Sequence, residues 1–128
     1  MSLKKEIIET VNAPKPIGPY SQAVKVGDLL FCSGQVAIEP VSNTVVANDI
    51  DGQTKQVMKN IEAVLTQAQM KFSNVVKTTI FLKSMHDFPK VNAIYGEYFT
   101  QNPPARSTVE VSRLPKDVLV EIECIASA

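Results

Sequence analysis

The sequence predicts a single α+β domain spanning residues 1–128, in which one mixed β-sheet carries two helices on one face. The predicted elements follow the order β, β-β, α, β, α, β-β, which is typical of this fold class. Each helical segment has one apolar stripe, so it needs one surface to pack against. A length of 128 residues is that of one ordinary domain.

The composition is that of a neutral protein. Thirteen basic and thirteen acidic residues give a formal net charge of zero, so the broad positive surface of a nucleic-acid binder is not expected. A domain of this size buries roughly two-thirds of its unfolded surface, so it needs no metal or disulfide for stability. The sequence has no apolar run of bilayer-spanning length and no signal-peptide pattern, so we expect a cytoplasmic protein without membrane contact.

The cysteines and the single histidine do not predict a metal site. Cys32 and Cys124 lie within apolar strand-like runs, which favours buried, reduced thiols over a disulfide. His86 has no second histidine, cysteine or carboxylate at a metal-ligand spacing. We interpret His86 as a helix-boundary residue, and a general-base role stays open.

The start of the chain predicts a strand, a break and a turn. Residues 3–11 carry apolar residues among charges, which fits a strand or a short helix, and we favour the strand. Two prolines within residues 13–16 interrupt regular structure. The Gly18-Pro19 step marks a turn, so Tyr20 either packs as an amphipathic plug or lines a site.

A hairpin with an irregular end follows. Residues 23–26 and 29–33 flank Gly27-Asp28, a preferred two-residue hairpin connection. Gly34 then indicates a β-bulge or a close approach of the backbone to another group.

The first helix is the clearest element of the sequence. It follows a polar loop over residues 39–48, and Asp49 or Asp51 can cap its first turn. Apolar residues recur at helical spacing along it. They are Val57, Ile61, Val64, Leu65 and Ala68.

A strand over residues 73–83 and a second helix come next. The strand is apolar on both faces, which predicts cover by a helix on one side and by a partner subunit on the other. Val76, Thr78, Ile80 and Leu82 share one face, and Val75, Thr79 and Phe81 the other. The second helix begins at His86 or Asp87, accepts Pro89 in its first turn and runs to about Phe99. Its stripe is Val91, Ile94, Tyr95, Tyr98 and Phe99.

Residues 104–126 predict two strands joined by a turn, as an antiparallel hairpin. The second strand carries an apolar row of Val118, Val120, Ile122, Cys124 and Ala126. Burying Val109 and Val111 together with that row fixes the class of register, because a slip of one residue sends one row to the wrong face.

That register places Arg106 on one face with Glu121 and Glu123, and Thr108 lies beside Arg106. An arginine fork suits bidentate capture of a planar carboxylate. A glutamate near apolar groups gains proton affinity and can serve as general acid or base. The combination predicts a small carboxylate substrate with proton transfer nearby, and an ion pair on a solvated sheet face is the open alternative.

The sheet face without helices also needs a cover. It is expected to carry apolar residues together with the Arg106 group, so a homo-oligomer with sites near the subunit boundary is the simplest arrangement.

Several segments together resemble the RidA family of imine deaminases, also called YjgF-like proteins. Pro-Ala-Arg-Ser-Thr-Val-Glu-Val, followed by Leu-Pro-Lys-Asp-Val-Leu-Val-Glu-Ile-Glu, is similar to the C-terminal signature of that family. Gly18-Pro19-Tyr20-Ser21-Gln22-Ala23, Ser33-Gly34-Gln35, Val76-Lys77-Thr78-Thr79 and Val91-Asn92-Ala93-Ile94-Tyr95 also match in the family's order. The resemblance covers essentially the whole chain.

The resemblance implies a chorismate-mutase-like fold assembled as a homotrimer with three clefts between subunits. It also implies hydrolysis of reactive 2-imino acids, such as 2-iminobutanoate and 2-iminopropanoate, to 2-keto acids and ammonia. These imines are released by pyridoxal-phosphate enzymes, so the implied role is control of metabolite damage, without a cofactor of its own.

The resemblance also assigns roles to residues. Arg106 would hold the substrate carboxylate, and Glu121 would orient or activate the attacking water. Further residues would line the cleft, some of them from the neighbouring subunit: Tyr20, Ser33, Gly34 and Asn92.

One position departs from the family pattern and bears on the mechanism. Many bacterial members have cysteine where this chain has Thr108, so thiol chemistry cannot operate there, although a backbone contact would survive. Two other functions stay open: a ligand-binding regulatory trimer with little turnover, and RNA cleavage or translation inhibition. The neutral charge argues against the RNA function, since phosphate contacts need lysine and arginine.

Overall fold

The computed structural model describes residues 3–128, which form eight strands and two α-helices. The strands are β1 (Lys5–Ile8), β2 (Ala23–Val26), β3 (Leu29–Gln35), β4 (Ile38–Glu39), β5 (Thr44–Val45), β6 (Val75–Leu82), β7 (Ala105–Glu110) and β8 (Val120–Ser127). The helices are α1 (Ile50–Gln67) and α2 (Phe88–Tyr98). Short 3-10 turns cover Phe72–Asn74, Met85–Asp87 and Pro115–Asp117.

Six strands form one mixed sheet in the order β1-β2-β3-β8-β6-β7. Strands β6 and β7 are parallel, and the other pairs in this sheet are antiparallel. Strands β4 and β5 form a small separate hairpin inside the segment that the sequence predicts as a loop. One mixed sheet with two helices on one face confirms the predicted fold class.

The core lies between the sheet and the two helices. Strand β8 is hydrogen-bonded on both edges, and its even-numbered side chains face α1. The buried row is Val120, Ile122, Cys124 and Ala126, as the alternation predicts. The stripe predicted for α1 is also buried: Val57, Ile61, Val64, Leu65 and Ala68.

Helix α1 begins where a capping residue predicts it. Asp49 has an extended backbone, and its Oδ1 accepts a hydrogen bond from the backbone N–H of Gly52 at 3.2 Å, so Asp49 is the N-cap. Neither helix in the described part of the chain has the length and apolar character needed to cross a membrane.

The strands before α1 follow the prediction closely. Residues 5–8 are a strand, and β2 and β3 form the hairpin about Gly27, whose φ of 59° is the left-handed conformation such a turn requires. The β3–β8 register shifts between Cys32 and Gln35, which confirms the bulge expected at Gly34.

The faces predicted for β6 are correct except at its start. The β6–β8 register shifts between Val75 and Lys77. The shift turns Val75 inward, where it is buried, and turns Val76 outward, where it is 48% exposed. A bulge inserts one residue into the alternation, so the face assigned to each of these valines was wrong.

The prediction that β7 and β8 form a hairpin is wrong. Strand β6 lies between them, pairing with β7 in parallel and with β8 antiparallel. The chain runs from β6 through α2 to β7, and a strand–helix–strand connection returns the second strand parallel to the first. The segment after β7 therefore crosses β6 before β8 begins.

A buried amide ties α1 to the backbone around β4. Asn60 is 1% exposed, and its Nδ2 donates to the carbonyl oxygens of Val36 at 3.1 Å and Ile38 at 2.9 Å. Its Oδ1 accepts a hydrogen bond from Nε2 of Gln56. The side chain thus provides a donor to two carbonyl groups next to α1, and the Val36 oxygen also accepts from the backbone N–H of Ile38.

We expect Asn60→Ala to lower the free energy of unfolding by about 1–3 kcal/mol, because it removes the two hydrogen bonds that the buried amide donates to backbone carbonyl oxygens. The measurement is denaturant unfolding at fixed protein concentration. Asn12→Ala is the matched control, since Asn12 is exposed and its side chain makes no hydrogen bond within residues 3–128. A loss no greater than that of the control would contradict this role for Asn60.

Candidate functional site

Arg106 and Glu121 lie on opposite faces of the sheet within one chain. Arg106 pairs with Thr78, and Thr78 pairs with Cys124, so Arg106 lies on the helix-covered face. Glu121 pairs with Phe81 on the other face. The prediction that one hairpin brings the guanidinium and the carboxylate to the same face is therefore wrong. The predicted site residues form two groups, which we call the arginine half-site and the glutamate half-site.

The arginine half-site is built by β7 and α2. Phe88, Asn92 and Tyr95 recur at helical spacing on α2, so they present one face to Arg106. The guanidinium carbon of Arg106 lies 5.0 Å from the ring centre of Tyr95 and 5.3 Å from that of Phe88. Its Nη1 donates to Oδ1 of Asn92 at 2.8 Å. Two cation–π contacts and one hydrogen bond thus hold an otherwise flexible side chain.

This arrangement leaves donors for a ligand. A guanidinium has five N–H donors in a planar fork, and the contact with Asn92 is its one hydrogen bond within residues 3–128. Arg106 lies on β7 at the edge of the sheet and is exposed. An exposed, pre-oriented fork is suited to a planar carboxylate brought from outside the chain.

Thr108 completes the arginine half-site. It lies two residues along β7 from Arg106, on the same face and opposite Ile80. Its Oγ1 is buried and has no hydrogen-bond partner among the residues that the structure describes. A buried hydroxyl without a partner costs free energy, so this atom marks a polar position that a ligand or another chain could satisfy.

The glutamate half-site is a cavity of about 560 Å³ on the other side of the sheet. Its lining includes three of the predicted cleft residues together with Glu121. The lining residues are Ile17, Tyr20, Ser33, Gly34, Val36, Ile38, Pro115, Lys116 and Glu121. The volume suits a small organic ligand, and the lining is partly apolar, as in most binding sites.

The bulge at Gly34 makes room for the Glu121 carboxylate. A methyl group added at Gly34 would overlap Oε2 and lie 2.8 Å from Cδ of Glu121. Neighbouring Ser33 is held by its Oγ, which donates to the backbone oxygen of Ser21 at 2.5 Å. Glycine is therefore required here for the close approach of a side chain, which is one of the two roles that the sequence predicts.

Burial raises the pKa of the Glu121 carboxyl above its ordinary value, and the negative charge of Glu123 raises it further. Both effects disfavour the ionised form. Arg106 does not offset them within one chain, because it lies across the sheet. Glu121 is therefore a better proton acceptor than an exposed glutamate, as a general base should be.

Two loops close the glutamate half-site. The Gly18-Pro19 turn presents Tyr20, which is 53% exposed and accepts a hydrogen bond at its hydroxyl from the backbone N–H of Ile17. On the other side, Lys116 lies in a turn where its φ is 56°. Left-handed backbone at a residue other than glycine is strained, and such strain is concentrated at functional sites.

The remaining candidates stay outside both half-sites. His86 lies in the exposed turn before α2, where its backbone N–H donates to Oγ of Ser84, which fits a boundary role. Cys32 and Cys124 are paired across β3 and β8, buried and free, as expected. A hydrogen bond with Cys32, together with burial, raises the pKa of the Cys124 thiol, so it is not an activated nucleophile. Within residues 3–128 no three potential ligands gather at a metal-binding distance.

Sequence reasoning did not identify Phe88 or Lys116 as site residues, and it assigned Tyr95 only to the apolar stripe of α2. The spacing of Phe88, Asn92 and Tyr95 was a readable signal, because these positions share one helix face. The left-handed turn at Lys116 leaves no comparable pattern in the sequence.

Comparison with known proteins identifies the family. The model of the family described as Endoribonuclease L-PSP matches residues 10–128. A RutC family protein of Pyrococcus horikoshii is 57% identical over 122 residues, which cover 95% of this chain and 97% of that protein. The chain belongs to the RidA/YjgF/RutC family.

Solved structures agree with this membership. A Rid family protein of unknown function from Yersinia pestis has a TM-score of 0.94 at 53% identity, covering 98% of this chain and 100% of that one. Escherichia coli TdcF, solved with bound serine, has a TM-score of 0.92 at 38% identity, covering 96% and 98%. The fold is therefore the one expected from the resemblance.

We expect Glu123→Gln to lower the pKa of Glu121 toward its ordinary value, because it removes the neighbouring negative charge that opposes ionisation. The measurement is a titration of the side-chain carboxyl carbon by NMR. Because folding raises this pKa, the contribution of Glu121 to stability declines as the pH rises through the interval between the unfolded and folded values.

Glu97→Gln is the control for that titration. Glu97 is an exposed residue of α2, which lies on the opposite side of the sheet from Glu121. The control should leave the titration of Glu121 unchanged. An equal response to both substitutions, or none to Glu123→Gln, would show that Glu123 does not set the proton affinity of Glu121.

Proposed function

We propose that the protein hydrolyses reactive 2-imino acids, such as 2-iminobutanoate and 2-iminopropanoate, to 2-keto acids and ammonia. The observation that carries the proposal is the Arg106 guanidinium, held by two rings and an amide with most of its donors unused. Such a group binds a small planar carboxylate, which every 2-imino acid and 2-keto acid possesses.

Glu121 supplies the proton transfer that the reaction needs. The imine reacts in its protonated, iminium form. Water attacks the imine carbon and gives a proton to the Glu121 carboxylate, so a carbinolamine forms. Protonated Glu121 then gives its proton to the nitrogen, and the carbon–nitrogen bond breaks. The hydroxyl proton passes to Glu121 as the hydroxyl oxygen becomes the keto oxygen, and ammonia carries that proton away as ammonium. The raised pKa of Glu121 suits both steps, because the group must accept a proton and then release it.

The two half-sites meet between copies of the chain in this proposal. The open sheet face carries exposed apolar side chains, including Ile7 at 46%, Phe31 at 43% and Val109 at 41%. Exposed apolar patches of this kind mark interaction surfaces. A homotrimer with three clefts would pair Arg106, Asn92 and Thr108 of one copy with the cavity of the next.

In that cleft, the substrate lies against the glutamate half-site. Tyr20 would cover it, and Ser33 and Gly34 would form the wall beside Glu121, since these residues line one cavity with the carboxylate. The substrate is already reactive, so holding it and the water in position provides much of the acceleration. The reaction as proposed uses water and protein groups alone, without a cofactor.

A ligand-binding regulator with little turnover is the second candidate. The solved relative with bound serine supports recognition of a small amino acid in this fold, with or without catalysis. RNA cleavage is favoured by the family's description. The zero net charge argues against RNA, because phosphate binding depends on an excess of lysine and arginine.

A trapping assay separates these functions. Threonine dehydratase generates 2-iminobutanoate in situ, and semicarbazide traps the imine that escapes hydrolysis. We expect the wild type to suppress trapping and Arg106→Ala to lose most of that suppression, on the order of 100-fold, since the charge-assisted hydrogen bonds to the substrate carboxylate are removed. No suppression by the wild type would favour the regulator, and equal suppression by both proteins would remove Arg106 from the mechanism.

Mixing two inactive variants tests the shared cleft. If Arg106 and Glu121 act from different copies, refolding Arg106→Ala together with Glu121→Gln in equal amounts should restore about a quarter of wild-type activity. Roughly three-quarters of randomly assembled trimers then contain both variants. In each of these, one of the three clefts has both Arg106 and Glu121 intact.

The control for the mixing experiment is Arg106→Ala refolded with the double variant Arg106→Ala/Glu121→Gln, which contains no intact arginine half-site and should stay inactive. A site formed within a single chain would give no recovery in either mixture. The restored activity therefore reports directly on the sharing of residues between copies.

A further inference from the structure

Tyr95 links a buried hydroxyl of the sheet to the arginine half-site. It is 4% exposed, and its hydroxyl lies 2.7 Å from Oγ1 of Thr78, which is 2% exposed. The ring of the same residue lies 5.0 Å from the guanidinium carbon of Arg106. One side chain thus makes a polar contact at its tip and a cation–π contact at its face.

The sheet register explains why one ring can reach both groups. Thr78 and Arg106 are paired neighbours on β6 and β7, so their side chains leave the same face side by side. Tyr95 lies on α2 and contacts both side chains. The hydrogen bond to Thr78 restrains rotation of the ring, and the ring in turn limits the positions open to Arg106.

Burial restricts the Tyr95 ring to the orientation in which its hydroxyl contacts Thr78. Desolvation raises the pKa of Tyr95, so the hydroxyl stays protonated and remains available as a hydrogen-bond donor. A buried hydroxyl that lost its partner would be left unsatisfied, which penalises ring orientations away from Thr78. The restraint therefore comes from the core and does not depend on the ligand.

Pre-orientation of Arg106 matters for binding. A free arginine side chain samples many rotamers, and a ligand that immobilises it pays that entropy on association. A guanidinium already held in place loses less conformational entropy on binding, and its donors are presented in one plane. The benefit should appear in affinity for the carboxylate, with little change in the chemical step.

We propose that Tyr95, anchored by Thr78, is a positioning residue that orients Arg106 for the carboxylate of the substrate. The inference rests on the proposed function, because it assumes that Arg106 binds that carboxylate. Tyr95 itself touches neither substrate nor reacting atoms in this scheme. It acts through Arg106, and its loss should weaken binding while the reaction rate at saturation is kept.

The test uses the stable product 2-oxobutanoate as a probe and measures its affinity for the full chain by calorimetry. Tyr95→Phe keeps the ring and removes the hydroxyl, and Thr78→Val removes the anchor and leaves the ring. Each should weaken binding about fivefold, the effect of one lost neutral hydrogen bond. In the trapping assay, KM should rise by a similar factor and kcat should stay within about twofold.

Tyr98→Phe is the matched control. It makes the same chemical change on the same helix, but its ring contacts Phe72, 5.0 Å away between ring centres, and lies outside the arginine half-site. It should change neither the affinity nor KM. Thermal unfolding of all variants separates a loss of folded protein from a loss of affinity in the folded protein.

A double-mutant cycle with Arg106→Lys decides whether Tyr95 acts through Arg106. Lysine lacks the planar fork, so Tyr95→Phe should have little further effect in that background, and the two changes should be non-additive. Additive effects, an unchanged affinity in Tyr95→Phe, or a wild type that does not bind 2-oxobutanoate would each overturn the inference. Binding with the expected coupling but without imine hydrolysis would reject the deaminase function and uphold the positioning role.

Discussion

Burial of the even-numbered side chains of β8 against α1 is the constraint on which the site geometry depends. Because side chains alternate along a strand, placing Ile122 in the core forces Glu121 to the open face. Paired residues on neighbouring strands share a face, so the register through β6 to β7 places Arg106 on the side that faces α2. The hydrophobic row thereby determines which side of the sheet receives each charged group, and the charges of Arg106 and Glu121 are kept apart within one chain.

Most of the fold could be predicted from local pattern, and the failures occur where pairing is non-local. The stripe of α1, the hairpin at Gly27 and the buried row of β8 follow from periodicity and turn chemistry. The strand that pairs with β7 does not follow from these local patterns. A hairpin with β8 and a crossover from β6 both bury apolar residues, and the intervening helix α2 was the signal that favours the crossover.

Candidate site residues could be named from the sequence, but their arrangement could not be predicted. Resemblance to a known family selected Arg106, Glu121 and their neighbours, whereas the strand argument placed them together on the wrong assumption that Val109 is buried. Val109 is 41% exposed on the open face, so the apolar row it was meant to join lies on the other side. The bulge at Val75 is likewise set by pairing with β8, which sequence alternation alone does not reveal, whereas the glycine at position 34 indicated the other bulge in advance.

Separation of the two half-sites has an electrostatic consequence for the proposed reaction. A guanidinium beside Glu121 would stabilise the carboxylate and lower its pKa, which would weaken it as a base. With Arg106 across the sheet, burial and Glu123 act on Glu121 without that opposition. In a cleft between copies, the substrate carboxylate would lie against Arg106 and offset its positive charge. Arg106 would then lower the pKa of Glu121 only weakly. Assembly from two chains would then provide an anion-binding group and a strong base in one small space while limiting the attraction between them.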